Sequence, residues 1–368
     1  MEKLSRIVFA VTNDLSYDQR MSKICSSLSE ANYIVELVGR KKSNSVPLIQ
    51  KNYSQKRLQC FFQKGKFFYI EYNIRLFIYL LFTHADVISS VDLDTLLPCT
   101  LVSKIRSKKL VFDAHEYFTE VPEVTDRKFI KAIWEAIAKN CIPKVDAAYT
   151  VGEMLADIFI KKYHQKFEVV RNVPLMDETN AIAHLRNYDN KIILYQGDLN
   201  EGRGLEQMIE AMQKINAEFW IAGNGPYYQK LKQLVGEFKV TERVKFLGYV
   251  KPEELKLLTQ KATIGINILE NKGLSYYYSL ANKFFDYMHA GVPQVCAPFP
   301  EYEKINSQFN IALLCECSVE EIIHSLNLLL KDEYLYNKMQ DESVKAKQIF
   351  NWQIEVNTLI KIYADVCK

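Results

Sequence analysis

An α/β protein made of two doubly wound parallel-sheet halves is the fold this sequence predicts. Three observations carry that prediction. Short apolar runs alternate with helix-length amphipathic segments from residue 6 onward. The alternation starts afresh at Lys191, and 368 residues exceed what one ordinary hydrophobic core holds.

The first half opens with an apolar run over residues 6–12, a buried strand by its hydrophobicity. Residues 22–31 read as a helix and 34–38 as a second strand, the β-loop-α-β start of a doubly wound sheet. Residues 85–90 and 109–113 supply two more strands, with a helix over about 94–106 between them. Strands at 147–151 and 167–171 close the half. The second half repeats the rhythm: strand 191–195, helix 204–214, strand 218–222, helix 226–238, strand 244–247, helix 252–261, then strands 264–267 and 294–296. A last helix over about 352–366 carries Trp352, Ile354, Leu359, Ile362 and Tyr363 on one apolar side. The expected division is a first domain over 1–172, a linker over 173–190, a second domain over 191–350 and a terminal segment over 351–368. Two such Rossmann-like domains are expected to face each other across a cleft, a usual place for ligands.

Composition narrows the function classes. The chain is 48% hydrophobic and 25% charged, which excludes a disordered polymer. Eight cysteines show no paired-knuckle spacing, and Cys315-x-Cys317 lacks the second pair that zinc requires. Residues 1–185 carry a net charge of +5 and residues 186–368 a net −2. That is too little for a nucleic-acid binder. No signal peptide precedes the first strand, so the cytoplasm is the expected compartment.

Residues 279–293 carry the most chemistry. Phe284, Phe285 and Met288 form an apolar helical face, Ser279 or Asn282 can cap the first turn, and Gly291 with Pro293 ends it. The cap leaves backbone N–H groups at residues 281–283, with Lys283 among them and Asp286 one turn inward. A helix N-terminus with a lysine suits a phosphate, and a nearby carboxylate suits paired hydroxyls such as those of a ribose.

This run resembles the donor-nucleotide motif E-A/Y-M-x-x-G-x-P of group 1 (GT4) retaining glycosyltransferases, with Asp286 at the glutamate's place. The resemblance extends over most of the second half. Residues 195–204 (YQGDLNEGRG) sit where the family has G-R-x…K-G. Residues 221–226 (IAGNGP) match its G-x-G-P loop, and 244–250 (VKFLGYV) match its V-x-F-L-G strand. What the resemblance implies is the GT-B fold and a donor site formed by Gly197, Gly223, Asn224, Gly225, Gly248, Tyr249, Val250, Leu280, Ala281, Asn282 and Asp286. It further implies that Arg203 and Lys283 hold the diphosphate and that no metal or other cofactor is needed. Two positions depart from the pattern: Asp198 stands where the family has arginine, and Tyr278 where it has the first glutamate of E-x7-E. A branch with S-L-P-x-K-x-F-E-Y-M shares the second departure.

In the first half, residues 112–116 (FDAHE) lie at a strand's carboxyl end and resemble the family's D-x-H-(E/D), which places His115 against the transferred sugar. The bland reading satisfies His115 with Asp113 and Glu116. The first β-to-α loop, 13–20, lacks the family's glycines. Asp18 and Arg20, with Glu116, are its acceptor-side candidates, against a plain helix cap. Asp92-Leu-Asp94 has the D-x-D spacing of metal-dependent GT-A glycosyltransferases, yet it follows strand 85–90, in the wrong domain for that fold, and Asp94 suits an N-cap. Residues 51–82 mix basic and aromatic side chains without the apolar length of a membrane span. They suit an interfacial helix, a core-facing one, or one helix with both faces.

The resemblance thus implies a hexosyltransferase-type glycosyltransferase. It would move a sugar from a nucleotide-sugar donor to a glycan or lipid-linked saccharide, as in cell-surface polysaccharide assembly. The basic-aromatic stretch 51–82 and the net-positive first half would suit a peripheral place on an anionic inner membrane face. A nucleotide-sugar epimerase of the same fold, a non-catalytic donor-binding partner subunit and a membrane-bound scaffold are the rival readings.

Overall fold

The computed structural model describes residues 4–176 and 191–368. Two compact units divide the chain. The first comprises Met1–Asn172 with Glu355–Lys368, and the second Val173–Ile354.

The first unit contains one parallel sheet of seven strands: β1 (Arg6–Ala10), β2 (Ile34–Lys41), β3 (Ser54–Gln59), β4 (Val87–Val91), β5 (Lys109–Ala114), β6 (Ala147–Thr150) and β7 (Phe167–Val169). Their order is β3-β2-β1-β4-β5-β6-β7. The strand order changes sense between the parallel neighbours β1 and β4, so the loops after these strands splay apart at the carboxyl edge. β1 and β4 are buried along nearly their whole length, as strands covered on both faces must be. β3 is the edge strand and reads SQKRLQ, with no apolar run, so periodicity alone does not reveal it. It is held by its ladder to β2 and by Arg57, which donates to the Asp14 and Val46 carbonyls and to Ser16 Oγ.

The second unit repeats the plan with six strands: β8 (Ile192–Gln196), β9 (Glu218–Ala222), β10 (Val244–Gly248), β11 (Ile264–Asn267), β12 (Gln294–Cys296) and β13 (Ala312–Leu314), ordered β10-β9-β8-β11-β12-β13. Its change of sense falls between β8 and β11. The helix Asn282–His289 is pinned beneath that point. A Cβ on Gly265 of β11 would lie 2.4 Å from the Tyr287 ring, and Tyr287 Oη donates to the Leu194 carbonyl of β8 at 2.9 Å. A glycine in the strand therefore lets a helix tyrosine lie across the sheet.

The helix Trp352–Val366 begins in the second unit, and from Glu355 onward belongs to the first. There Tyr363 is fully buried, its hydroxyl 2.7 Å from Ser89 Oγ and its ring 5.7 Å from that of Phe9. Most of the expected linker, 177–190, lies outside the described residues. At its described start, the Pro174 carbonyl accepts from Trp352 N–H at 2.9 Å.

Of the basic-aromatic stretch, Ser54–Gln59 is strand β3 and Gly65–Phe82 a helix, whose inner face has the core-facing reading. Phe68, Tyr72, Leu76 and Leu80 are buried in the first unit's core, whereas Phe67, Ile70, Ile74, Ile78 and Phe82 are exposed. Among the described residues no helix is long and apolar enough to cross a membrane.

Candidate functional site

At the carboxyl edge of the second sheet, three loops lock together through their glycines. Gly197 N–H donates to the Ala222 carbonyl (3.0 Å), Leu199 N–H to Asn224 (3.0 Å) and Gly223 N–H to Gly248 (2.8 Å). A Cβ on Gly223, whose φ is +153°, would stand 1.8 Å from the Gly197 carbonyl oxygen, and one on Gly225 2.4 Å from that of Leu199. These two glycines are therefore accounted for by loop packing. Gly197 differs: its open side looks toward Lys283, with Nζ 3.8 Å from the Cβ position. Gly248 is half-buried at positive φ, Asn224 and Tyr249 are exposed, and Val250 packs against the small core cluster that includes Leu194, Ala222 and Tyr287.

Lys283 sits in the first turn of the helix Asn282–His289, aimed at this edge. Its side chain is buried, Nζ lies 3.8 Å from the centre of the Tyr195 ring, and it has no hydrogen-bond partner among the described residues. Burial, reinforced by the neighbouring Arg203 guanidinium, pushes its pKa well below the ordinary lysine value. Arg203 stacks 4.9 Å over Tyr276, and its Nε is buried without a partner. The loop bearing Arg203 is fastened by Lys272, which is ion-paired to Glu201 and to Glu270 (3.1 Å), and by Tyr276 Oη donating to the Glu201 carbonyl. Two adjacent cations, one of them unpaired and buried, make a place for an anion.

Asp286 accepts from Gln196 Nε2 at 2.8 Å, and Gln196 Oε1 in turn accepts from Thr259 Oγ1 at 2.8 Å. Sequence reading passed over Gln196. The available signal was a polar residue closing a buried parallel strand. Leu280 is buried and Asn282 exposed. The expected cap is corrected: Ala281 occupies the N-cap position with no side-chain cap, Asn282 is already helical, and Ala281 N–H donates to Tyr302 Oη at 2.9 Å. Asp198 is exposed, and its carbonyl accepts from Tyr195 Oη at 2.7 Å.

The first unit gathers a second polar cluster at its own carboxyl edge. His115 Nε2 lies 3.0 Å from Asp113 Oδ2, its backbone N–H donates to Asp92 Oδ1 at 2.9 Å, and Nδ1 stands 3.4 Å from Asp92 Oδ2. Burial alone would lower its pKa, but the Asp113 and Asp92 carboxylates outweigh that and push it up to about 10. His115 is an imidazolium at neutral pH. Asp92, not Glu116, is its second carboxylate, and Glu116 is exposed. Asp92 holds φ at +59°, a strained value for a residue with a side chain. It also takes the cap position expected of Asp94. Asp94 is buried instead, accepting from Thr12 Oγ1 at 2.6 Å, and burial with Asp92 nearby raises it to about 7.

The two remaining acceptor-side candidates have structural roles. Asp18 caps the helix Gln19–Glu30, accepting from Met21 N–H at 2.9 Å. Arg20 is buried, paired to Asp113 Oδ1 at 2.9 Å and donating to the Val170 carbonyl at 3.2 Å. Burial would raise the Asp113 pKa, yet Arg20 and His115 hold it below the usual carboxylate value.

Similar proteins agree with this architecture. The chain superimposes over 98% of its length on 99% of sucrose-phosphate synthase from Thermosynechococcus elongatus, with a TM-score of 0.80 at 15% identity. Anabaena HepE, solved with UDP and glucose, superimposes over 98% of this chain and 99% of that one, with a TM-score of 0.75 at 12% identity. Two parallel-sheet units and these neighbours define the fold as GT-B. Residues 176–346 match the family described as Glycosyl transferases group 1. An uncharacterized glycosyltransferase of Methanocaldococcus jannaschii is 27% identical over 186 residues, 48% of this chain and 45% of that protein. Alpha-D-kanosaminyltransferase of Streptomyces kanamyceticus is 25% identical over 199 residues, 46% of this chain and 52% of that protein. The chain spans about half the length of these curated relatives.

Proposed function

We propose that the protein is a hexosyltransferase-type glycosyltransferase that moves a sugar from a nucleotide-sugar donor to a glycan or lipid-linked saccharide, with retention and without a metal. The observation that carries this reading is the buried, unpartnered Lys283 side chain beside Arg203, within the region that matches the group 1 family. In the reaction, the bond between the anomeric carbon and the diphosphate oxygen breaks. The acceptor oxygen bonds to that carbon on the same face, and its proton passes to the departing diphosphate. Negative charge grows on the leaving group, and Arg203 and Lys283 are the groups that stabilise it. Asp286, steadied by Gln196, holds the ribose hydroxyls. In the first unit, His115 Nδ1 has only a 3.4 Å ion-pair contact to Asp92, which leaves it able to donate to a sugar hydroxyl.

The apolar outer stripe of the helix Gly65–Phe82 supports an acceptor carried by lipid at the inner membrane face. Thermal shift with UDP-, GDP- and dTDP-sugars tests the donor assignment. A donor at 100 Kd adds about 2.7 kcal/mol of stability, and Lys283→Ala should lose most of the shift. If no nucleotide sugar raises the melting temperature, the reading fails.

A further inference from the structure

The outermost helical layer of the first unit is apolar where a surface layer is normally polar. Three helices form it side by side: Gly65–Phe82 packs on Leu93–Arg106, which packs on Lys128–Cys141. Each buries one face in the core and turns a second apolar stripe outward. On the first helix that stripe runs through Ile70 (57% exposed), Ile74 and Ile78. On the second it is Leu97, Leu101 and Ile105, each four residues after the last, with Ile105 62% exposed. On the third it is Phe129 (77% exposed) and Ile133. A single exposed leucine means nothing, but matched stripes on three adjoining helices make one continuous patch.

Charge surrounds the patch and does not enter the stripes. Lys64 and Lys66 stand at the start of the first helix, Lys104 near the end of the second, and Arg127 and Lys128 at the start of the third. All five are exposed, and none forms an ion pair among the described residues.

We propose that this three-helix face docks on an anionic lipid bilayer, an inference that rests on the transferase reading and names the surface through which the enzyme meets a lipid-borne acceptor. Apolar side chains on a helix lying parallel to a membrane enter the headgroup boundary, while lysine and arginine stems reach back to anionic lipid. A second copy of the chain fits less well. A two-fold interface pairs this rim with a copy of itself, and its five exposed cations outnumber the exposed Glu123 and Asp126 beside them.

The test uses the full chain and vesicles of phosphatidylcholine with and without phosphatidylglycerol, at low and high salt. The expected result is co-sedimentation with the anionic vesicles that fades as salt rises. An Ile74→Ser, Leu101→Ser variant should partition roughly tenfold less. Both positions are exposed and outside the donor site, so the variant's unchanged melting temperature and donor-induced shift show it folded. Equal recovery in the supernatant with and without anionic vesicles overturns the proposal, as does unchanged partitioning of the variant. A concentration-dependent dimer that the variant abolishes also overturns it and assigns the face to a second copy. A donor shift without vesicle binding sinks only this docking surface. Vesicle binding without any donor shift sinks the transferase reading and leaves the surface standing.

Discussion

Lys283 Nζ lies 3.8 Å from the centre of the Tyr195 ring and has no hydrogen-bond acceptor among the described residues. The ring face offers a buried cation partial compensation, far less than a carboxylate would. A site arranged in this way favours a bound anion, because the ligand completes it.

Replacing this lysine should separate stability from function. Lys283→Met keeps the apolar stem and removes a charge that burial disfavours, so the unliganded protein should melt at a higher temperature. Turnover should fall on the order of 10²-fold, the usual scale for losing one stabiliser of transition-state charge. A lower melting temperature with normal turnover would make Lys283 a structural residue.

Proton uptake should accompany donor binding. With its folded pKa depressed, Lys283 binds fewer protons than in the unfolded chain, so its contribution to stability rises with pH between the depressed value and the ordinary one of about 10.4. A diphosphate arriving beside it raises that pKa again, so at a pH where the free amine is partly neutral, binding draws a proton from solution. Titration calorimetry in two buffers of different ionisation enthalpy measures this directly, and identical heats in both would refute it.

His115 should show the opposite linkage. Its folded pKa of about 10 exceeds the ordinary value of about 6.5. The stability it contributes is therefore complete below about pH 6.5 and is lost as pH rises toward 10. A His115→Gln variant should lack that part of the pH profile. The His115 ring resonances of the wild type should stay fixed between pH 6 and 8, and an inflection near 6.5 would show that Asp113 and Asp92 do not hold the proton.

Arg20→Met should strand Asp113 in the core. Breaking a buried pair from one side costs about 3–5 kcal/mol, and His115 offsets only part of it. A large fall in melting temperature with an unchanged acceptor KM in the folded fraction is the expected result. The reverse pattern would return Arg20 to the acceptor site.

For Asp286→Asn, nucleotide affinity should drop while the fold persists, since the amide keeps its shape and loses its charge. Gln196→Ala should weaken affinity by a smaller factor, because it removes one donor to the carboxylate and keeps the carboxylate itself. Unchanged affinity in both variants would reduce the pair to a brace for its helix.

Much of the fold was legible because parallel strands buried on both faces write their positions as apolar runs: residues 85–90, 109–113 and 264–267 fall on β4, β5 and β11 within two or three residues. β3 was not legible, since an edge strand held by backbone ladder and arginine contacts needs no apolar signature. At the site, the helix-start reading of residues 279–293 singled out Lys283 and Asp286, and the family resemblance singled out Arg203 and His115. Neither could reveal that Arg20 is consumed by Asp113, or that Gly223 and Gly225 serve the loops' contact with each other. Those are pairings across long stretches of chain, and one sequence records only the residue types.

The shared terminal helix also sets an order of events during synthesis. Residues 355–368 complete the first unit, yet the ribosome makes them only after the whole of the second. Until then Ser89 lacks the Tyr363 hydroxyl and Phe9 lacks its ring neighbour. Domains ordinarily fold in turn as they emerge. Here the second unit can finish while the first, though older on the chain, must wait, so a nascent chain halted near residue 350 should carry a protease-resistant second unit beside a still-susceptible first one.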